Sequence, residues 1–419
     1  MRTKKVVFIE SNTTGTGRLF LKSVKKLGFI PVMLAKDPNR YESFMQDGIE
    51  FVKMDTRNEN AVFETCKSIA EEEGLAGIFS CSDYFIDISA IVAQKLGLHG
   101  PDPNAIKHCR DKAKQLSLLQ NARVGIPMFY EASTVEHAVS AAESLGMPVI
   151  IKPVEGSGSV GVKLCENIQD VTEHSSSLFL NEKNERGVPI SRRIIVQEMA
   201  DGPEYSVEMF NGQVIGITKK YLSQPPYFVE TGHDFPAVLS ESEKCEIKET
   251  AISAVKALNL LWGPVHIELR LSSKGTKIIE VNPRLAGGFI PELVRLSSGI
   301  DLIYDTMCIV TGQLADSYDT KEIYSGIRFI LPPFEGVVTG MYEDDSLRKM
   351  NEVVDISIYK KLPLEIVFNY DFRDRIGHII CTGSNPETVR NAIDTAKGMI
   401  KPVYAGLPKF ESEGSIKLY

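Results

Sequence analysis

Several features that would place a protein outside the ordinary globular class are missing from this sequence. It contains no run of about 18 apolar residues, the minimum for a membrane-spanning helix. Only four apolar residues, Val6 to Ile9, follow the basic N-terminal residues, which is too few for a secretory signal. The formal charge is −8, and no basic tract is interleaved with aromatic residues as in nucleic-acid-binding surfaces. We therefore expect a cytoplasmic protein that binds neither membranes nor nucleic acids.

Cysteine is scarce and scattered along the chain. The seven cysteines among 419 residues are odd in number and form no Cys-x-x-Cys pair. This excludes a disulfide framework and a zinc site of the usual spacing, and it fits a reducing compartment. The remaining composition is ordinary, with 43% hydrophobic and 24% charged residues, so the chain can form a large core. Its length predicts about two to four structural units.

The first hundred residues alternate between strand-like and helix-like segments. Val6 to Ile9 is an apolar strand, and a polar, glycine-bearing turn at 11–17 leads into helical spacing over 19–27. The later elements of this part are the strands 31–34 and 77–80 and the helix 86–96. Such alternation predicts an α/β unit with a mostly parallel sheet and helices on both faces.

Beyond a Gly-Pro-Asp-Pro sequence at 100–103, strands become more frequent. The predicted elements are helices at 104–120, 134–145, 242–258 and 386–399 and strands at 149–151, 162–165, 194–196, 265–271, 276–282, 326–331 and 336–342. The helix at 242–258 is the one long helix expected in the central part. We predict a Rossmann-like α/β domain (1–108), a central α+β domain (109–314, with a lid at about 127–200) and a β-rich C-terminal domain (315–419).

Two glycine-rich turns could bind phosphate groups. Gly156 to Gly161 matches Gly-x-Gly-x-x-Gly, but the residues 162–165 that follow alternate like a strand, whereas a dinucleotide-binding loop opens a helix. We predict a hairpin tip whose free N–H groups can cover phosphates; an ordinary glycine-rich hairpin is the competing interpretation. The turn with Gly15 and Gly17 has Phe20 in place of the third glycine, which disfavours a dinucleotide domain. The chain contains no P-loop motif.

A predicted hairpin carries an unusual set of polar residues. Its strands are 265–271 and 276–282, and the three-residue loop 273–275 places Gly275 where a left-handed backbone is needed. In this register residue 272 faces 276, so that 268 faces 280 and 266 faces 282. Side chains alternate between the two faces of a strand, so the polar residues of both strands share one face.

Two carboxylates of this hairpin oppose each other. Glu268 faces Glu280, and like charges at such positions are destabilising. A divalent cation would remove the repulsion, and a set of oxygen ligands favours Mg²⁺ or Mn²⁺ over zinc. A solvated polar face is the competing interpretation. Asn282, opposite His266, and Arg284 add an amide oxygen and a cation at the same end, which favours the metal site.

Further polar residues lie on segments that could face a nucleotide. Lys152 closes an apolar strand directly before the glycine loop, so its ammonium group would project towards phosphates covered by that loop. Lys112 lies in a predicted helix, and nothing local distinguishes it from a surface lysine. The segment 197–200 follows a strand and could offer backbone groups to an adenine, with Glu204 accepting from ribose hydroxyls.

Taken in order, these residues resemble the ATP-grasp superfamily across nearly the whole chain. The matching positions are Lys112, 149–153, 156–161, 196–199, Glu204, Glu268 and 280–284. The N-terminal unit is similar to the biotin-carboxylase-type domain that precedes this fold, and 377–383 resembles its closing lobe. Within the superfamily, 229–236, 284–288 and the opening 9–11 resemble the L-amino acid ligases, which include dipeptide synthetases and antibiotic amide ligases.

The resemblance implies an ATP-dependent ligase that joins a carboxylate to the amine of an L-amino acid through an acyl phosphate, releasing ADP and phosphate. It implies small-molecule substrates, two Mg²⁺ or Mn²⁺ ions and a homodimer. The implied ATP-binding residues are Lys112, Lys152, Gly156, Ser157, Ser159, Gly161, Glu198, Met199 and Glu204. The implied metal ligands are Glu268, Glu280 and Asn282.

The same resemblance implies a substrate site beside the metal. Arg284 is the candidate for steadying the acyl phosphate and the oxyanion, assisted by Lys152 and Gly288. The candidates for contacting the substrates are Arg284, the Gly287–Gly288 turn, His233, His266, Ser82 and Asp83. Each histidine could orient the incoming amine or be a structural residue.

Three other functions compete with the ligase. A carboxylase that forms carboxyphosphate would use the same fold; the sequence lacks the Met-Lys-Met of a biotin-accepting segment, which counts only against a fused carboxylase. A nucleotide-binding regulator without turnover would not need the opposed carboxylates and both lysines. An NAD-dependent dehydrogenase would bind its cofactor at Gly15 and Gly17.

The metal assignment predicts the effect of one conservative substitution. Glu280→Gln removes a charge but little volume, so the protein should fold while ATP turnover is abolished. Phosphate release from MgATP measures turnover, and circular dichroism checks folding. Near-normal turnover in the folded variant would contradict the metal site.

Overall fold

The N-terminal part of the chain forms a four-stranded parallel sheet with helices. In the computed structural model, residues 3–12, 16–156, 158–183, 190–315 and 318–406 are described. The elements of this part are β1 (Lys5–Ile9), α1 (Gly17–Lys26), β2 (Ile30–Ala35), α2 (Glu42–Gln46), β3 (Glu50–Lys53), α3 (Glu59–Glu72), β4 (Leu75–Phe79) and α4 (Ile86–Lys95). The strand order is β3-β2-β1-β4, and every pair is parallel. The predicted parallel sheet is confirmed.

Alternate residues of β1 pack into two different hydrophobic clusters. Val6 and Phe8 contact the cluster that contains Phe20 of α1, whereas Val7 and Ile9 belong to the cluster on α3. Because helices cover both faces, every residue of the strand is buried, and all those after Lys5 are apolar. This explains why the sequence shows a continuous apolar run instead of alternation.

The single helix predicted at 104–120 is wrong, because two helices occupy this stretch. They are α5 (Pro103–Arg110) and α6 (Lys112–Asn121). Asp111 between them has an extended backbone, and its side chain accepts the N–H of Lys114, which caps α6. The break therefore places Lys112 at the first position of a helix.

The lid predicted between about 127 and 200 contains a second, antiparallel sheet. Its elements are β5 (Phe129–Ala132), α7 (Val135–Leu145), β6 (Val149–Pro153), β7 (Lys163–Cys165), α8 (Ile168–Leu180) and β8 (Ile194–Glu198). The strand order is β5-β8-β6-β7, and the glycine loop connects the antiparallel strands β6 and β7. The predicted hairpin is therefore confirmed. The expectation of a single long helix in the central part is wrong, because α8 is a second one, and its apolar residues pack into the core of the lid: Ile168, Val171, Leu178 and Phe179.

The largest sheet has eight antiparallel strands. The elements that follow the lid are β9 (Glu204–Phe210), β10 (Gln213–Leu222), β11 (Glu230–Phe235), α9 (Glu241–Ala257), β12 (Pro264–Ser272), β13 (Gly275–Asn282), α10 (Ile290–Ser298), α11 (Leu302–Val310) and β14 (Tyr324–Ile330). The C-terminal elements are β15 (Gly336–Glu343), β16 (Val353–Ile358), β17 (Leu364–Ile366), β18 (Gly377–Gly383), α12 (Pro386–Met399) and β19 (Ile400–Tyr404). The large sheet has the order β13-β12-β9-β10-β11-β14-β18-β16, and β17-β15-β19 form a small sheet.

The large sheet takes strands from both sides of the predicted boundary at 314. Strand β11 pairs with β14, so the backbone ladder continues from the central part into the C-terminal part. The predicted domain limits at 108 and 314 stay predictions. Helix α9 packs against the apolar face of β9, β12 and β13, so the opposite face of these strands carries the polar residues. Within the described ranges, no helix is long and apolar enough to cross a membrane.

The apolar side of β12 should be sensitive to loss of volume. Ile267 lies between His266 and Glu268 and is fully buried against α9. We expect Ile267→Val to lower the free energy of unfolding by about 0.5–1.5 kcal/mol and Ile267→Ala by about 2–5 kcal/mol, because a cavity remains. Urea denaturation followed by circular dichroism measures both. Exposed Val238 provides the control, since Val238→Ala should change stability by less than about 0.5 kcal/mol. Equal stability of all variants would contradict this packing.

Candidate active site

A cavity lies between the lid sheet and the polar face of the large sheet. Its empty volume is about 890 Å³, including space open to solvent. The predicted site residues that line it are Lys112, Lys152, Gly156, Ser159, Glu198, Met199, Glu204, Glu268 and Glu280. Gly161 and Asn282 do not line it, and Ser157, like Gly15 of the first turn, lies outside the described residues. The structure thus brings most of the predicted nucleotide and metal residues around one cavity.

The opposed carboxylates are where the sequence predicted them. Glu268 pairs in register with Glu280, and His266 pairs with Asn282. Because β12 and β13 are antiparallel, these side chains project from the same face of the hairpin. That face borders the cavity through Glu268 and Glu280.

The tip of this hairpin differs from the prediction by one residue. Ser272 pairs with Gly275, so the loop consists of two residues and not three. A register shift between Glu268 and Leu269 compensates and restores the predicted pairing of the carboxylates. Gly275 has a φ of 92°, which confirms the left-handed backbone expected for that glycine.

Two lysines from different elements neutralise this end of the cavity. The Nζ of Lys112 lies 3.1 Å from the carboxylate of Glu280 and donates to the carbonyl of Gly156 at 2.7 Å. The Nζ of Lys152 donates to the carbonyl of Ile279 at 3.3 Å. Burial lowers the pKa of Lys152 to about 8, and the carboxylate of Glu280 offsets only part of that effect. The helix lysine that looked ordinary in sequence therefore contacts both the glycine loop and a candidate metal ligand.

Sequence reasoning missed Lys220, a buried lysine at the centre of the site. Its Nζ lies 2.8 Å from Glu230, 3.0 Å from Glu268 and 3.1 Å from Glu204. Burial by itself would lower the pKa of Lys220, but the three carboxylates outweigh burial and hold that pKa well above its usual value. Lys220 therefore stays charged and links Glu204, the candidate ribose ligand, to Glu268, a candidate metal ligand.

Glu230 extends this charged network into the C-terminal part of the chain. Its carboxylate accepts from the guanidinium of Arg375 at 2.7 Å as well as from Lys220. Burial alone would raise the pKa of Glu230, but the two cations dominate and hold it well below its usual value. Neither cation was a candidate in the sequence, because no local pattern shows that their strands or loops meet at Glu230.

His266 is held on both sides by carboxylates. Its Nδ1 lies 3.0 Å from Glu208 and its Nε2 lies 3.2 Å from Glu268. Burial alone would lower the pKa of His266, but the carboxylates, led by Glu208, raise it to about 9. The ring is therefore charged at neutral pH and orients Glu268. Its suggested contact with an amine stays a prediction.

His233 has a contrasting environment. It is fully buried, and neither ring nitrogen has a hydrogen-bond partner among the described residues. Burial lowers its pKa to about 3, so the ring is neutral, and its Nε2 lies 3.7 Å from the carboxylate of Glu230. A methyl group at Gly288 would lie 2.5 Å from that nitrogen, and Gly288 has a φ of 59°. Both the close approach and the backbone require glycine there, whereas nothing crowds Gly287.

The remaining predicted substrate residues meet at Arg284. The Nε of Arg284 donates to Asp83 at 2.6 Å, and Arg110 lies 3.8 Å from the same carboxylate. Burial alone would raise the pKa of Asp83, but the two guanidinium groups hold it at about 2. The adjacent hydroxyl of Ser82 is buried and has no hydrogen-bond partner within the described ranges. The structure therefore brings together predicted substrate residues, Asp83 and Arg284, that lie some 200 positions apart in the sequence.

The chemistry of the hairpin fits a magnesium ion. Glu268 and Glu280 offer carboxylate oxygens and Asn282 an amide oxygen, the ligand type that Mg²⁺ prefers. In the part of the chain that is described, three or more His, Cys, Asp or Glu side chains are nowhere grouped as a complete metal site. A bound Mg²⁺ therefore needs further oxygen ligands from phosphates or water.

Comparisons with known families agree with this architecture. The family model of the ATP-grasp domain matches residues 145–292, and that of the L-amino acid ligase C-terminal domain 2 matches residues 328–405. A crystal structure of an L-amino acid ligase from Bacillus licheniformis superimposes with a TM-score of 0.79 at 20% identity, covering 97% of this chain and 100% of that one. The predicted ATP-grasp fold is confirmed. Proteins of this fold use ATP with Mg²⁺, as in the MgADP complex of a biotin carboxylase domain from Hydrogenobacter thermophilus.

Curated relatives align over most of the chain. The uncharacterized protein y4rH of Sinorhizobium fredii is 30% identical over 403 residues, which cover 95% of this chain and 84% of that protein. The alanine–anticapsin ligase of Bacillus subtilis is 28% identical over 69% of this chain and 66% of its own length. Human carnosine synthase 1 is 26% identical over 67% of this chain but only 36% of its own length. This chain therefore spans about a third of the carnosine synthase.

These relatives, the two family models and the geometry of the cavity lead to one conclusion. The predicted resemblance to the L-amino acid ligases is confirmed by the C-terminal family model and by amide-forming, ATP-dependent relatives. The chain belongs to the ATP-grasp superfamily and is an ATP-dependent ligase of the L-amino acid ligase type.

Proposed function

We propose that this protein joins the carboxylate of one amino acid or acyl-amino acid to the amine of an L-amino acid. The observation that carries the proposal is the opposed pair of Glu268 and Glu280 on a wall shared with Lys112 and Lys152, with Arg284 beyond the end of the same hairpin. This arrangement serves a reaction in which a carboxylate must approach a triphosphate. Without fixed cations the two anions would repel each other.

ATP would lie between the lid and the large sheet. Lys112, Lys152 and the glycine loop would hold its phosphates, since both ammonium groups border the cavity beneath that loop. The N–H of Glu198 donates to the carbonyl of Met128, so adenine recognition in this segment would fall mainly to Met199. One carboxylate oxygen of Glu204 accepts from Lys220 and the other accepts from Arg270. Each oxygen has a second lone pair that can accept from a ribose hydroxyl.

Glu268, Glu280 and Asn282 would hold two Mg²⁺ or Mn²⁺ ions together with ATP. When bound, the ions supply positive charge that offsets the phosphates and the charge spread over the phosphoryl oxygens. His266 keeps Glu268 ionised and oriented, because it donates from Nε2 while Glu208 accepts from Nδ1. Lys112 forms an ion pair with Glu280. Burial alone would raise the pKa of Glu268, but Lys220 and His266 hold that pKa well below its usual range.

The reaction proceeds in two transfers. A carboxylate oxygen of the first substrate attacks the γ-phosphorus, the bond to the β-phosphate oxygen breaks, and ADP leaves. The amine nitrogen of the second substrate then attacks the acyl carbon, loses a proton, and phosphate leaves to give the amide. Arg284 would steady the acyl phosphate and the oxyanion with donors not taken by Asp83. Gly287, Gly288 and neutral His233 would face the amine-bearing substrate.

Named relatives support amino acids as substrates. A carnosine synthase and an alanine–anticapsin ligase are among the proteins similar to this chain, and both names describe amides of amino acids. We propose the same substrate class here, with small-molecule partners only. The homodimer expected from the sequence stays a prediction.

A substrate panel tests the proposed function. Phosphate release from MgATP is measured against all pairs of amino acids, with bicarbonate and simple carboxylates as additional wells. We expect release that requires two particular partners, with the amide detected by mass spectrometry. Release with bicarbonate alone would replace the ligase with a carboxylase, and ATP binding without any release would favour the regulator.

The role of Arg284 predicts a separation between nucleotide binding and catalysis. Arg284→Lys keeps the charge opposite Asp83 but loses the planar fork of donors, so amide formation should fall by about 100-fold or more. The dissociation constant of MgADP, measured by calorimetry, should change less than about twofold. Arg295→Lys on α10 is the matched control, because Arg295 pairs with Glu292 on the same helix. Unchanged amide formation by Arg284→Lys would exclude Arg284 from the reaction.

A further inference from the structure

A second cavity lies between α4 and the end of the carboxylate hairpin. Its empty volume is about 450 Å³, including space open to solvent. Its walls include Ile86 and Ala90 of α4, Ile106 of α5, Pro264 of β12 and Arg284. Arg284 is the residue that this cavity shares with the proposed substrate site.

The cavity continues along the face that carries the metal ligands. Pro264, His266 and Glu268 alternate along β12, so all three project from the same face. Glu268 lies four positions after Pro264, which corresponds to roughly 13 Å of strand. The order is the same along β13 and the residues that follow it, where Glu280 and Asn282 are followed by Arg284. The second cavity therefore begins where the proposed metal and carboxylate sites end.

The chemistry of its walls favours an apolar occupant. Ile86, Ala90 and Ile106 form a small buried cluster of their own. The two serines in the walls already have partners, since Ser89 donates to the carbonyl of Ile86 at 2.9 Å and Ser80 accepts the N–H of Ser82 at 3.2 Å. An aliphatic group placed there leaves no wall hydroxyl unpaired and removes apolar surface from water.

Arg284 connects the cavity to the reacting carboxylate. Its Nε donates to Asp83 and its Nη1 to the carbonyl of Leu285. Among the described residues nothing accepts from its Nη2, which leaves that group to bind a substrate anion. A substrate whose carboxylate lies on Arg284 would therefore have its own side chain next to the cavity walls.

We propose that this second cavity binds the side chain of the carboxylate-donating substrate and selects amino acids with an aliphatic side chain. The inference rests on the proposed function and adds the substrate class for one of its two subsites. Two residues of α4 in the cavity wall differ in size: Ala90 is small, and Ile86, one helical turn earlier, is larger. These two residues determine specificity without touching ATP.

Two substitutions of opposite volume test the proposal on the full chain. Ala90→Leu fills the cavity, and Ile86→Ala enlarges it. Amide formation is measured at saturating MgATP and amine with alanine, leucine and phenylalanine as carboxylate donors. With Ala90→Leu, kcat/KM for leucine should fall at least about tenfold relative to alanine. With Ile86→Ala, kcat/KM for phenylalanine should rise relative to leucine. If Ala90→Leu does not fold, Ala90→Val replaces it.

The outcomes separate this inference from the proposed function. Both substitutions perturb the same helix, so a purely structural effect would reduce the activity with all three donors by one common factor, and that result would overturn the inference while leaving the ligase intact. A wild-type preference for charged or polar donors would overturn it as well. If no carboxylate donor gives an amide, both this inference and the proposed function are overturned. If Ala90→Leu shifts the donor preference towards smaller side chains and Ile86→Ala towards larger ones, with an unchanged KM for MgATP, the cavity is supported as the side-chain site.

Discussion

The juxtaposition of Glu268 and Glu280 is the constraint on which the rest of this structure depends. Two carboxylates on neighbouring strands repel each other, and the fold places them in register on a wall of the main cavity. Each is balanced by a cation from another element, Glu280 by Lys112 and Glu268 by Lys220. The apolar face of the same hairpin is fixed by α9, so the charged face cannot relax by turning outward.

The charges form one connected network and not a set of separate pairs. Lys220 joins Glu204 to Glu268 and Glu230, and Glu230 continues to Arg375 in the C-terminal part. Ions this deeply buried are stable only when each is paired. Lys220 therefore couples the candidate ribose ligand Glu204, the candidate metal ligand Glu268 and the Glu230–Arg375 pair electrostatically.

Local patterns in the sequence were sufficient for some parts of the site and insufficient for others. The alternation of β12 and β13 predicted the facing carboxylates, and the strand after Gly161 identified the glycine loop as a hairpin. Lys220 was missed because its contact with Glu268 depends on β12 pairing with β9, two strands far apart in the sequence, which no local pattern shows. The helix break at Asp111 was missed for a different reason, since a single capping side chain decides it. Residues whose role depends on the pairing of distant strands can be identified only once the fold is known.

The continuous ladder of the large sheet has a consequence for how this protein can be divided. Strand β11 carries Glu230 and His233, and its outer neighbour β14 comes from beyond residue 314. A chain ending at that point would expose the N–H and C=O groups of β11 as an open edge, which invites pairing with other chains. The C-terminal part thus supplies the strand that covers this edge of β11, and gene fusion or domain exchange would have to carry both strands together.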